Sequence, residues 1–196
     1  MLDAAESAQL SDAMFVQGRL SARFTAQSAA VLAERAGLAR SALARAAFLM
    51  VEETGVGAAH PFSGEKLSPV LAVYRAGDFS HAAALAARIL RYQGAGHSVG
   101  LHSKDDARAL ALGLELPVCR VIVNQAHCFA TGGSFDNSLP FSLSMGCGSW
   151  GGNSISDNLN YRHFLNITRV VRPLRVPRQA PTEAELFGAY RRKFGA

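Results

Sequence analysis

Apolar residues in this chain gather in short continuous runs, separated by segments of helical spacing and by glycine-rich punctuation. Residues 1–19 are polar and irregular, with room for one short helix. From Ser21 to Ala36, Phe24, Val31 and Leu32 fall close to one helical face, and Gly37 follows as a stop. Ala46–Val51 is a continuous apolar run of strand length, the pattern of a strand buried on both faces. Gly55–Pro69 holds three Gly and two Pro and reads as a loop. Val70–Tyr74 is a second buried-strand run. Asp78 is placed to cap the helix after it, which runs through Ala82–Leu90 to a break at Gly94. Ser98–His102 is a short strand. Ser103 then caps a helix ending near Gly113, with Asp105 and Asp106 in the first turn, where the helix dipole favours acids. Val118–Val123 is the next strand.

Strands and helices thus alternate. This alternation implies right-handed βαβ units and an α/β fold, a parallel sheet with flanking helices. Asn124–Ser142 is a long polar loop around Gly132 and Gly133, and loops of that length in a compact domain are usually functional. Phe164–Val171 alternates and is β-rich, and Pro173, Pro177 and Pro181 mark an extended connector. Thr182 and Glu185 have the spacing of a capping box, opening a last helix to about Phe194.

Composition narrows the classes. At 196 residues and 49% apolar the chain can bury a sizeable core. No apolar run reaches the roughly 18 residues of a membrane helix. Met1–Glu6 carries acid where a signal peptide carries base, so the reading is soluble, cytoplasmic and without a membrane partner. The net charge of +5 sits mostly in the tail: Arg172–Ala196 has six bases and two acids, leaving the first 171 residues at +1. No basic stripe is interleaved with aromatics, which argues against a nucleic-acid partner. Cys119, Cys128 and Cys147 form no Cys-x-x-Cys, and the six histidines show no His-x-x-x-His, so a metal site is not expected. The thiols read as free and mostly buried.

The most conspicuous stretch is Met145–Ser154. Gly146, Gly148, Gly151 and Gly152 surround Trp150, the only tryptophan. On composition alone it is an irregular loop with a Trp plugging the core edge. Gly94–Gly100 has the glycines of a dinucleotide fingerprint in the wrong place. They follow a helix and open a strand, so a helix stop with a tight turn fits better. His97 at that strand entrance can donate a hydrogen bond or a proton. Glu65, just before a buried strand, can accept hydrogen bonds from sugar hydroxyls.

Four segments occur together and in order: Glu65–Ala72, Gly96–His102, Val121–Asn124 and Gly146–Ser154. The chain resembles the CoA-acylating branch of the aldehyde dehydrogenase superfamily over nearly its whole length. Asn158–Ile167 resembles the sulfoacetaldehyde type most. The resemblance implies an NAD- or NADP-dependent oxidation of an aldehyde, with CoA taking the acyl group. It implies that Glu65 holds the nicotinamide ribose and that Leu67 flanks the ring. It also implies that Gly146, Cys147, Gly148, Ser149, Trp150, Gly151, Gly152 and Asn153 wall the pocket, with His97 as an auxiliary group. Residues 1–166 become part of a catalytic domain, and 167–196 an oligomerisation strand and tail, pairing in a homo-oligomer. The family nucleophile is a Cys in a Cys-x-Ser-Glu-Gln type element, which has no counterpart here. The expectation is a C-terminal portion, inactive alone, with no catalytic residue of its own among the three cysteines. A split-enzyme subunit completed by a separate N-terminal half, or a non-catalytic oligomerisation module, are the alternatives. A sulfonated aldehyde needs Arg or paired donors, and Arg162 is the only Arg close in sequence to the glycine loop.

Overall fold

Asp3 opens the first helix, α1 (Ala4–Met14), with a full capping box. Its carboxylate accepts the Glu6 N–H, and Glu6 accepts the Asp3 N–H in return. Leu10 and Met14 are completely buried on its inner face. A two-residue turn at Gln17-Gly18, both at positive φ, then folds β1 (Phe15–Val16) back on β2 (Arg19–Leu20). This start is more ordered than its polar composition suggests. The computed structural model describes residues 1–176 and 178–195, so Pro177 of the proline connector lies outside the described residues.

The helix expected over Ser21–Ala36 is interrupted. A single turn at Ala22–Phe24 gives way to extended chain, and α2 spans only Ala29–Arg35. The cause is tertiary. Ala26 sits at positive φ and donates its N–H to the Leu67 carbonyl, after which Ser28 recaps the helix through the Val31 N–H. The run at Ala46 enters its strand late. A turn over Ser41–Arg45 holds its start, and β3 is Leu49–Glu52.

β3 pairs in parallel with β4 (Val70–Val73), Leu49 opposite Val70. Asp78 caps α3 (Phe79–Tyr92) by accepting the His81 N–H. β5 (Gly96–Leu101) and β6 (Val118–Val123) form a second parallel pair, joined by α4 (Asp106–Glu115). The cap of α4 is Asp105, not Ser103. Ser103 is held instead by Asn124, which exchanges two hydrogen bonds with its backbone. The helix runs past Gly113 because Leu112 and Leu116 on either side of it are buried against the strands. A short α5 (His127–Ala130) occupies part of the expected long loop.

The flanked parallel α/β arrangement stands, but as two separate two-stranded pairs rather than one sheet. β4 and β5 share no ladder, and a cleft lies between them. Each pair has its own apolar centre. One joins α1, α2, β3 and β4 through Leu10, Met14, Leu32, Leu49, Phe62 and Val70. The other joins α3, α4, β5 and β6 through Ala87, Leu112, Leu116 and Val118. The thiols are less buried than expected: Cys119 and Cys147 are half-buried and Cys128 is exposed.

Two compact units divide the chain, Met1–His163 and Phe164–Ala196. In the second, Ile167–Val171 forms no strand. An alternating apolar segment without a ladder partner has nothing to hold it in a sheet, and Ile167, Val170 and Val171 are 67%, 77% and 87% exposed. The helix α6 (Glu183–Phe194) has the expected box, with Thr182 accepting the Glu185 N–H and Glu185 accepting the Thr182 N–H. No helix among the described residues is long and apolar enough to cross a membrane.

Candidate functional site

The cleft between β4 and β5 has a volume of ≈ 900 Å3. Val70, Leu71 and Ala72 of β4 and Ile89 and Leu90 of α3 make its apolar side. Ser63, Glu65, Lys66, Tyr74, Gln93, His97 and Asn153 bring the polar groups. Such a mixture, mostly apolar with a few convergent polar groups, is the ordinary make-up of a small-molecule site.

The loop that presents Glu65 is fixed from below by a half-buried charged cluster. Glu53, 9% exposed, accepts through one carboxylate oxygen from the Thr54 N–H at 2.8 Å and the Gly55 N–H at 3.3 Å. The same oxygen lies 2.7 Å from His60 Nδ1. Lys66 Nζ donates to the Phe62 carbonyl at 2.6 Å and the Gly64 carbonyl at 2.8 Å, drawing the turn before Glu65 tight. Burial holds the Lys66 pKa below the usual lysine range, and the Glu53 charge pulls it partly back. Tyr74 donates to the Gly55 carbonyl at 3.0 Å. Its phenol is pushed up to about 12, first by burial and then by the Glu53 charge, so it stays protonated. Above this base Glu65 is exposed, its N–H donating to Gln93, the residue after α3, at 2.8 Å.

The glycine stretch is a hairpin-like loop closed by a bridge between Met145 and Asn158. The Gly146 and Gly148 N–H groups donate to the Asp157 and Ile155 carbonyls, and Asn153 accepts the Cys147 N–H at 2.9 Å. The loop lies directly on β5. Gly96, at φ +86, touches the Cys147 backbone, and a side chain there would collide with it. From β6, Arg120 reaches into the same loop. It is 6% exposed and donates to Asn158 Oδ1 at 2.8 Å, the Gly146 carbonyl at 3.1 Å and the Ser156 carbonyl at 3.3 Å. Asn158, fully buried, passes the tie onward by donating to the Thr131 and Pro140 carbonyls at 2.8 and 2.9 Å. Beside it, Ser98 Oγ lies 2.8 Å from His127 Nε2, and burial lowers the His127 pKa.

The fold therefore brings Glu65, His97, Cys147, Gly151 and Asn153 to one cleft from three separate segments. Leu67 does not line it: at φ 45° and 58% exposed, it stands on the outside of the turn. Gly146, Gly152 and Asn153 line a smaller cavity of ≈ 390 Å3 with Met145 and Leu159. Trp150 is 54% exposed and plugs no core edge. Arg162 also lies away from the cleft, stacked over the Tyr161 ring. No group of three or more metal-ligating side chains occurs among the described residues. Sequence reasoning missed Glu53, Arg120 and Asn158. A guanidinium in the apolar run Val118–Val123 was the available signal, since Arg is rarely fully buried without a task.

No protein-family profile matches the chain. It is 57% identical over 195 residues to a sulfoacetaldehyde dehydrogenase (acylating) from Cupriavidus necator, a match covering 100% of this chain and 39% of that protein. A succinate-semialdehyde dehydrogenase (acetylating) from Clostridium kluyveri is 34% identical over 157 residues, covering 80% of this chain and 34% of that protein. Among solved structures, an acetylating aldehyde dehydrogenase from Geobacillus thermoglucosidasius superimposes with a TM-score of 0.82 at 35% identity. That superposition covers 93% of this chain and 39% of the other. The chain thus spans well under half the length of the relatives it matches.

Proposed function

We propose that this chain, a homologue over its whole length of part of the acylating aldehyde dehydrogenases, forms the substrate-and-nicotinamide wall of such an enzyme. The reaction is oxidation of an aldehyde with NAD or NADP and transfer of the acyl group to CoA, with sulfoacetaldehyde as the favoured substrate. The observation that carries the reading is the convergence of Glu65, His97 and the glycine loop on one cleft.

The cleft fits a nicotinamide riboside. It has the room, an apolar flank in Leu71, Ala72 and Leu90, and an exposed carboxylate at its rim. The nucleotide supplies the hydride acceptor when bound. Glu65 takes the paired ribose hydroxyls through its carboxylate oxygens. The flank role assigned to Leu67 passes to Leu71, which faces the cleft. His97, exposed at the entrance of β5, is placed to donate to a substrate oxygen. The glycine loop closes the far side, where Cys147 and Gly151 come closest to β5. The nucleophile role is assigned to none of the cysteines. Burial raises the Cys119 pKa, which disfavours its thiolate. Cys128 lies on α5 outside the cleft, and Cys147 serves as wall. The chain works as the C-terminal portion of the enzyme. Residues 167–196 supply an oligomerisation strand and tail that pair with a second copy, which matches the exposed apolar segment at Ile167–Val171.

The test is reconstitution. The 196-residue chain alone, given NAD or NADP, CoA and a short aldehyde, forms no reduced nucleotide. Joined to a cofactor half that bears a nucleophilic Cys, it does. In the joined enzyme Glu65→Gln raises the KM for the nucleotide about tenfold, the loss of a charge-assisted bond. Turnover by the chain alone, or an unchanged KM in Glu65→Gln, overturns the reading.

A further inference from the structure

Arg120 is a buried cation whose partners are all neutral. Its three recorded bonds go to an amide oxygen and two carbonyls, and among the described residues no carboxylate pairs with it. A buried charge without a counter-ion is costly and persists only where several well-placed dipoles replace water. Here those dipoles come from Gly146 and Ser156, on the two arms of the glycine loop, and from Asn158 at its base. Asn158 in turn uses its amide hydrogens on Thr131 and Pro140, at either end of the long loop after α5. One guanidinium and one amide therefore join β6 to both loops. Little else does so: Gly96, Ser98 and Gly100 leave that face of β5 bare of large side chains, and the loops rest on it through Cys147 and His127.

We propose that Arg120 and Asn158 form a latch that positions the glycine loop, and so sets the wall of the cleft that Cys147, Gly151 and Asn153 provide. They are positioning residues, since neither lines that cleft. The inference rests on the reading of the cleft as a reaction site only for its consequence in catalysis. The latch itself is tested on the chain without any nucleotide.

Two variants separate its arms. Arg120→Lys keeps the charge but cannot reach three acceptors from one ammonium, so the glycine loop is released. Asn158→Asp keeps an acceptor for Arg120 but sets a carboxylate oxygen, an acceptor, against the Thr131 and Pro140 carbonyls, so the long loop is released while the glycine loop is retained. Alkylation by N-ethylmaleimide, resolved by peptide mass spectrometry, is the first readout. In Arg120→Lys, Cys147 and Cys119, whose Sγ is 3.1 Å from where a Gly148 Cβ would stand, react about tenfold faster, the scale of one lost charge-assisted bond. Cys128, already exposed, does not change. In Asn158→Asp, Cys147 stays slow. Hydrogen exchange is the second readout. In Arg120→Lys the Gly146 and Gly148 amides exchange faster while those of β5 and α3 keep their protection, whereas a general loosening speeds all of them. In the unsubstituted chain these loop amides are as protected as those of β6, which tests the latch even if a variant fails to fold. Fast exchange at Gly146 and Gly148 in the unsubstituted chain overturns the latch, as does an unchanged Cys147 rate in folded Arg120→Lys. Failure of Glu65→Gln to alter nucleotide KM overturns the functional reading and leaves these results standing.

Discussion

Replacing Glu53 by Ala tests how far the loop presenting Glu65 depends on charge beneath it. The carboxylate accepts two short bonds, from Thr54 and His60, and a longer one from Gly55. Bonds to a buried charged acceptor contribute about 1.5–3 kcal/mol each. His60 is 38% exposed, so water recovers much of its share once Glu53 is gone. The Gly55 bond, at 3.3 Å, adds little. The Thr54 bond, at 2.8 Å, is lost outright, and Lys66 loses its counter-charge while keeping its two carbonyls. The sum is about 3 kcal/mol of lost stability, or a fall in Tm of about 6–12 °C for a chain of this size. Glu53→Gln keeps the acceptor and the shape and loses only the charge, for about half that effect. Thermal unfolding followed by circular dichroism is the assay, with guanidinium titration to confirm a constant slope. A Tm for Glu53→Ala within about 2 °C of the unsubstituted chain refutes the reasoning. Equal losses for Ala and Gln show that shape, not charge, is what the loop needs.

Gly96→Ala forces a Cβ into the Cys147 backbone from a left-handed conformation, and is expected to cost about 2–4 kcal/mol and to raise Cys147 alkylation; an unchanged melt and thiol rate contradict the close approach. His127 has a pKa below its unfolded value, so the unfolded chain binds more protons between the two values. Stability therefore falls as pH drops through the unfolded value of about 6.5, and His127→Gln removes that part of the slope, read from denaturation midpoints across the range. Replacing Ile167 and Val171 by Asp lowers self-association of the chain on size exclusion, because both side chains are exposed apolar surface; a monodisperse monomer before substitution refutes the oligomerisation segment.

Strand runs were the most legible part of the sequence. Val70–Val73 and Val118–Val123 emerge almost where their apolar runs lie, because short β-branched apolar runs favour strands, although burial on both faces does not follow, since Leu71 is 49% exposed. Caps with a local partner were legible too, as at Asp78 and Thr182. What failed depended on distant chain. Ala26 is bent by the Leu67 carbonyl, and Ser103 gives up its capping role to Asn124. The division of the sheet was equally hidden, since alternation of strands and helices does not say whether β4 and β5 touch. In the site, the resemblance singled out Glu65, His97 and Asn153, which line one cleft, but not the supports beneath them. Glu53 gave no signal in the sequence, Asn158 stood out only as the start of the segment Asn158–Ile167, and burial shows their tasks.

The walls of the cleft are rooted in two separate apolar centres, one beneath β3 and β4 and the other beneath α3, α4, β5 and β6. Such a groove can widen without unpacking either centre, so its breathing costs far less than global unfolding. Hydrogen exchange is then expected to separate the two centres in the empty chain, and a ligand that spans the gap to draw them into one transition. Occupancy of the cleft should show as sharper cooperativity of unfolding, and not only as a higher midpoint.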